Sequence, residues 1–277
     1  MKTRGKKMKL LTIQEVQAKQ LELMKKLHTF LVSNHIQYYF IGGSALGAVR
    51  HNDFIPWDDD IDIGMFRSHY ENFLSICQNF DPNYDIVNFH NAKNCDNCLT
   101  RIYFPNTYID ATPIKNTQLD SRLYFDIFPI DNVPDDDAER LVYEKQIKKK
   151  KNLISKIDAR NYHNSAFVFF LKKAISVCLT PFRSAILKST DTLMKKYMNE
   201  NTIYVCSLNS QYSFKKQVML RTIYGTPKLH VFADSAFFIP ENVDEYLTIL
   251  FGDDYMQIPP ENKRRKGYDI YELDGEK

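Results

Sequence analysis

The sequence predicts an α+β fold: a mixed sheet flanked by helices, with a helical insertion. Three observations carry this. Apolar, β-branched runs alternate with helical periodicities as far as residue 131, residues 134–199 read as helix throughout, and the C-terminal stretch returns to mixed structure. With 277 residues, 44% of them hydrophobic, the chain is long enough to bury a sizeable core. The expected organisation is a catalytic core over 1–133, a basic helical insertion or subdomain over 134–200, and a C-terminal part over 201–277 that completes the core.

Thr12 to Glu15 (TIQE) has capping-box spacing, and Ile13, Val16, Leu23, Leu27, Phe30 and Leu31 follow at helical intervals up to Ser33-Asn34-His35. IQYYFI (36–41) reads as a strand ending on Gly42-Gly43-Ser44, after which SALGAVRH forms a short helix. Asp60-Ile61-Asp62-Ile63 alternates acidic with β-branched residues. On a strand both carboxylates share one face, and both isoleucines point into a core. A helix is expected over 67–80, with Tyr70, Phe73, Leu74 and Cys77 inward, and strands over 84–89, 100–104, 107–110 and 122–128. Three helical stretches then follow from Pro134, the last opened by Pro181. Near the C-terminus IPENVDEYLTILFGDDYMQIPP gives a helix of about ten residues ended by Gly252.

Composition narrows the setting. Five scattered cysteines and a basic start (MKTRGKKMK) with no apolar stretch after it fit a reducing, cytoplasmic location. The longest uncharged run, Asn201 to Phe214, is polar and about 14 residues long, short of the 18 or so that a spanning helix needs. The net charge of +3 hides an asymmetry: residues 145–196 hold 13 Lys/Arg against two acids. That segment reads as a solvated helical surface, as a site for a polyanionic acceptor, or as a peripheral contact with the inner face of the plasma membrane. AFVFFLKKAISVCL within it suits an interfacial helix. Nucleic acid is not an expected partner, because interleaved surface aromatics and a recognition-helix motif are missing.

The chemistry concentrates in residues 41–65, IGGSALGAVRHNDFIPWDDDIDIGM. Four aspartates, Asp58, Asp59, Asp60 and Asp62, fall within five positions, and like charges so crowded call for a cation. Asp60 and Asp62 are the expected ligands of Mg²⁺ or Mn²⁺, with Asp126 of Phe125-Asp126-Ile127 as a third acidic group, ligand or base. Asp110 and Asp131 compete for that third place, although Asp131 is expected to begin a turn. Gly42 and Gly43 let backbone N–H groups approach a phosphate, and the helix after Ser44 adds its dipole. Asp58 and Asp59 are expected to shape the loop. Trp57 is either a stacking surface for a base or a cationic headgroup, or a core anchor.

YFIGGSALGAVRHNDFIPWDDDIDIGM, FDIFPID (125–131) and IPENVDEYLTILFGDDYMQIPP (239–260) together resemble the LicD family of the nucleotidyltransferase fold, which includes bacterial phosphocholine transferases and fukutin-related enzymes. The resemblance covers about residues 10–131 and 225–262. It implies transfer of phosphocholine from CDP-choline to a hydroxyl of a cell-surface glycan, a lipid-linked glycan, or a teichoic-acid or lipopolysaccharide precursor, with release of CMP. It also implies that Asp60, Asp62 and Asp126 form the metal and catalytic set, that Gly43 and Ser44 contact the donor phosphates, and that Arg50 neutralises phosphate charge. The chain departs from the family pattern at NKRRKGYDIYELD and in the basic helical segment, which leaves acceptor and alcohol open. Alternatives are another phospho-alcohol (glycerol phosphate, ribitol phosphate or phosphoethanolamine) from its CDP donor, a small-molecule nucleotidyltransferase, and a catalytically inactive nucleotide- or glycan-binding module. Cys95-Asp96-Asn97-Cys98 has zinc-ligand spacing without a second pair. His51, His69, His90 and His163 share no spacing and receive no ligand role.

Overall fold

The structure, a computed structural model, describes residues 8–92, 95–110, 121–158, 166–264 and 267–273. Residues 1–7 of the basic N-terminus, and 159–165 of the basic segment with His163, lie outside the described residues. Strand β1 (Met8–Leu10) leads into helix α1 (Ile13–Ser33). The capping box forms there: the Glu15 N–H donates to Thr12 Oγ1, and the Thr12 N–H donates to the Glu15 carboxylate. Strand β2 (Tyr39–Phe40) is shorter than its apolar run because Gly42, at φ 54°, turns the chain directly into α2 (Gly42–His51). Both glycines therefore belong to the first helical turn.

Strand β3 (Asp62–Phe66) runs straight into α3 (Arg67–Ile76), and β4 (Asp85–Val87), β5 (Thr100–Tyr103), β6 (Thr107–Asp110) and β7 (Tyr124–Asn132) follow. Three helices come next: α4 (Asp137–Asp158), α5 (Ala166–Leu179) and α6 (Arg183–Met194). The chain then makes β8 (Tyr204–Cys206), α7 (Phe214–Gln217), β9 (Val218–Leu220) and α8 (Arg221–Tyr224). A hairpin of β10 (Lys228–Phe232) and β11 (Ser235–Ile239) precedes α9 (Val243–Phe251), which Gly252 ends at φ 101°. Strand β12 (Asp269–Leu273) pairs with β1 and β6 in a small separate sheet.

The main sheet has the order β2-β3-β7-β5-β4, with β8 on β7 and β9 on β8. β3 and β7 are parallel and the other pairs antiparallel, so the sheet is mixed as expected. Its principal core is built from α1, the sheet, α2 and α9: Leu23, Leu27, Phe40, Ile63, Phe125, Ile127 and Leu247 are fully buried in it. A second apolar cluster joins α4 and α6 to β8 through Tyr143, Ile147, Leu187, Met194 and Cys206.

A buried charge network ties these two parts together. Arg67, 3% exposed, donates from Nε and NH2 to Asp131 at 2.6 and 2.9 Å, and from NH1 to Asp191 of α6 at 3.1 Å. Lys195 holds Asp191 and Glu71, each at 2.8 Å. Asp131 therefore does not begin a turn. It lies inside β7, at 1% exposure, because Arg67 neutralises it there.

Removing one member of such a network leaves charge buried without its partner. Arg67→Ala is expected to cost about 3–5 kcal/mol in urea denaturation. The double change Arg67→Met with Asp131→Leu, which removes the mutually paired charges, should recover much of that loss. Equal losses in the single and double variants would show that packing, and not charge pairing, holds this junction.

Candidate functional site

Helix α1 fixes the aspartate loop. Gln17 donates from Nε2 to the carbonyls of Ile55 at 3.2 Å and Asp58 at 2.9 Å. Gln20, one turn on and fully buried, donates to the carbonyls of Asp59 at 3.3 Å and Tyr124 at 3.0 Å. The loop and the start of β7 are thereby tied to the same helical turn. The available signal was a glutamine set between Val16 and Leu23 on the apolar stripe, where a polar side chain needs partners.

Strand β3 begins at Asp62, so Asp60 lies in the loop just before it and not on the strand as expected. Gln20 and Gln17 hold the backbone of residues 58 and 59 outside the sheet ladder. Ile61 and Ile63 are fully buried, in keeping with the alternation. Among the described residues, the carboxylates of Asp58, Asp59 and Asp60 come within 4.8 Å of one another. The two aspartates expected to shape the loop thus also offer ligand atoms.

Asp62 pairs in register with Asp126 across the parallel β3–β7 ladder, and Asp126 pairs with Arg101 across β5–β7. Arg101 donates from Nε to Asp126 at 2.9 Å and from NH1 to Asp96 at 3.1 Å, with its guanidinium 4.5 Å from the centre of the Tyr124 ring. Desolvation pushes the Asp62 carboxyl well above the usual range. The charges of Asp60, Asp126 and Asp58 push it further, and Arg101 opposes them. Asp126 is raised by burial, while the charge and hydrogen bond of Arg101 counter the shift.

The N-terminus of α2 meets the same carboxylates. A Cβ on Gly43 would come within 2.7 Å of Asp58 Oδ2, and one on Gly42 within 4.0 Å of Asp62 Oδ2. Bare backbone there lets the helix end sit directly on the acidic group, whose charge its dipole favours. The Gly42 N–H donates to the Tyr246 hydroxyl of α9 at 2.9 Å. Ser44 is buried, and its Oγ accepts the Asp62 N–H at 2.8 Å, so it positions the first residue of β3.

Arg50 lies in the last turn of α2, about 12 Å along the axis from Gly42. Its NH1 donates to the carbonyls of Tyr255 at 2.9 Å and Gln257 at 3.2 Å, which fixes the segment after α9 and separates it from the glycines. Trp57 is half-buried against the principal core, with the Arg264 guanidinium 4.4 Å from its ring centre and His51 edge-on at 6.4 Å. It is both an anchor and a surface already holding a cation. Asp110 stands in the small sheet opposite Asp269, away from the β3–β7 ladder.

The Cys95–Cys98 loop has a different part. Both cysteines are free, Arg183 donates to the Cys95 carbonyl at 2.9 Å, and Asp96 meets Arg101. Among the described residues, no group of three or more potential metal ligands includes either cysteine. The aspartate cluster offers only anionic oxygens, the donor chemistry that Mg²⁺ and Mn²⁺ take in preference to softer metals.

Residues 35–134 match the family model described as LicD/FKTN/FKRP, nucleotidyltransferase domain. The chain is 28% identical over 264 residues to the lipopolysaccharide cholinephosphotransferase LicD of Haemophilus influenzae, covering 93% of this chain and 96% of that protein. An uncharacterized protein of Rickettsia prowazekii is 38% identical over 73 residues, 26% of this chain and 27% of its own length. The ribitol 5-phosphate transferase FKRP of Homo sapiens is 55% identical over 31 residues, 11% of this chain and 6% of that protein. The matched span takes in α2, the aspartate loop, β3, β5 and Asp126 of β7, the elements that assemble the acidic site, and over residues 35–134 the chain resembles the LicD-type nucleotidyltransferase domain.

Proposed function

We propose that this protein is a phosphotransferase that moves phosphocholine from CDP-choline to a hydroxyl of a cell-surface glycan, such as a lipopolysaccharide or teichoic-acid precursor, in the cytoplasm. One juxtaposition carries the reading: Asp58 and Asp62 stand at the glycine-built N-terminus of α2, and the charges of Asp60 and Asp126 act on Asp62. The collinear match to a lipopolysaccharide cholinephosphotransferase supports it.

In this reading Asp60 and Asp62 would hold Mg²⁺ or Mn²⁺, with Asp126 as third acidic group, and Asp58 and Asp59, whose carboxylates group with that of Asp60, would add ligand atoms. The bound ion supplies Lewis-acid neutralisation of phosphate charge. Gly42 and Gly43 bring the first turn of α2 against the donor phosphates, and Ser44 keeps Asp62 in place. The acceptor hydroxyl oxygen bonds to the phosphorus that carries choline, the bond from that phosphorus to the CMP oxygen breaks, and the hydroxyl proton passes to a carboxylate. Asp126, whose carboxyl burial raises, suits that task as base if it is not a ligand. Trp57 offers the aromatic face that a quaternary ammonium prefers, at the place where Arg264 now stacks.

A second reading replaces choline with ribitol or another alcohol, and the 55% match to a ribitol 5-phosphate transferase favours it over the remaining alternatives. CMP release from CDP-choline, CDP-ribitol, CDP-glycerol and CDP-ethanolamine, measured with glycan acceptors and Mg²⁺ or Mn²⁺, separates the two. Phosphocholine transfer should lead, stop with EDTA and return with the added ion. Background release from every donor would overturn the transferase reading.

Asp62→Asn should lower CMP release on the order of a hundredfold or more. Its thermal midpoint should hold or rise, because the change removes like-charge repulsion. Full activity in that variant would remove Asp62 from the site. Trp57→Ala should raise KM for CDP-choline about three- to thirtyfold, the range of one cation–π contact, and affect CDP-ribitol less. An equal rise for both donors would make Trp57 a structural anchor only.

A further inference from the structure

We propose that α5 is a membrane-docking helix that seats the protein on an anionic lipid surface. Its exposed side carries large apolar residues, unlike that of an ordinary surface helix. Phe170 (68% exposed), Leu171 (52%), Ile175 (37%) and Val177 (64%) share its solvent side, and Phe182 (60%) continues the apolar surface past its end. Its polar Ser176 faces inward, donating to the Ile157 carbonyl at the end of α4. Large apolar side chains exposed together along one helix mark an interaction site.

Charge selects the occupant. The sequence from Ala159 to Thr190 contains no acidic residue, and residues 145–196 carry 13 Lys/Arg against two acids. On α4 the exposed lysines Lys145, Lys149 and Lys156 stand opposite its buried Tyr143, Ile147 and Ile154. A basic field around an exposed apolar helix complements anionic headgroups over acyl chains. A second copy would bring an equally basic segment against the first, and a nucleic acid would leave the apolar side chains against hydrated phosphates. At 14 residues α5 is about 21 Å long, shorter than a bilayer core, so it lies in the interface plane. No helix among the described residues is long and apolar enough to cross a membrane.

The test is flotation of the full chain with phosphatidylcholine vesicles, with and without phosphatidylglycerol. The protein should float with the anionic vesicles, less so as salt rises, and remain behind with the neutral ones. Leu171→Ser combined with Val177→Ser, both at exposed positions, should lower partitioning about tenfold or more with the circular dichroism spectrum unchanged. No flotation with anionic vesicles, or equal flotation of the variant, would overturn the proposal. So would a concentration-dependent dimer that the variant abolishes, which would assign the face to a second copy. CMP release from a soluble donor should be unchanged in the variant, so loss of flotation and loss of the transferase reading are distinguishable.

Discussion

Mutual repulsion among the aspartates is the constraint on which the rest of the site depends. At 4.8 Å two unit charges repel by about 3 kcal/mol at an effective dielectric of ~20, and at least four carboxylates share this region. Side chains alone would splay apart. The fold instead restrains the backbone that carries them: Gln17 and Gln20 hold the carbonyls of Asp58 and Asp59, and Ser44 Oγ takes the Asp62 N–H. Arg101 adds a cation on the Asp126 side, where it offsets part of the charge. In the proposed reading, an acidic site whose backbone is already held in this way would need little rearrangement to take a cation.

The restraints come from segments far apart in the chain, which explains why the resemblance resumes near the C-terminus. Helix α9 packs on α2, and its Tyr246 accepts the Gly42 N–H, so the glycine turn is completed by a residue 204 positions away. Arg50 then holds the carbonyls beyond α9, and Arg264 closes over Trp57. The Tyr268 N–H approaches Asp59 Oδ2 at 3.4 Å. The C-terminal part is therefore one wall of the acidic loop.

Features governed by local rules were legible in the sequence. The capping box at Thr12, the alternation that buries Ile61 and Ile63, and the helix ended by Gly252 each depend on neighbours within about one turn or one strand. Features that depend on strand pairing were not. Arg101, within the expected strand 100–104, drew no site reading, because its partner Asp126 lies 25 positions on and only the β5–β7 register brings them together. Asp131 resembled a turn residue after Pro129 because its neutralising partner, Arg67, sits on another element. The start of β3 at Asp62 likewise depends on α1, whose glutamines hold the preceding backbone off the ladder.

The parallel β3–β7 pair links site and scaffold through a single register. At one end it sets Asp62 beside Asp126, and at the other, one step past Phe66 and Ile130, it brings Arg67 to Asp131. Like charges meet at the end beside the aspartate loop, and opposite charges meet at the other, where Asp191 of α6 also joins Arg67. A slip of one residue would turn every side chain of β3 to the other face, burying Asp62 in place of Ile63 and withdrawing Arg67 from Asp131. Buried ion pairs contribute little net stability compared with apolar packing, but they tolerate few alternative pairings. The Arg67–Asp131 pair therefore matters here chiefly as a register lock: the charge pairing that docks the helical segment also keeps Asp62 opposite Asp126.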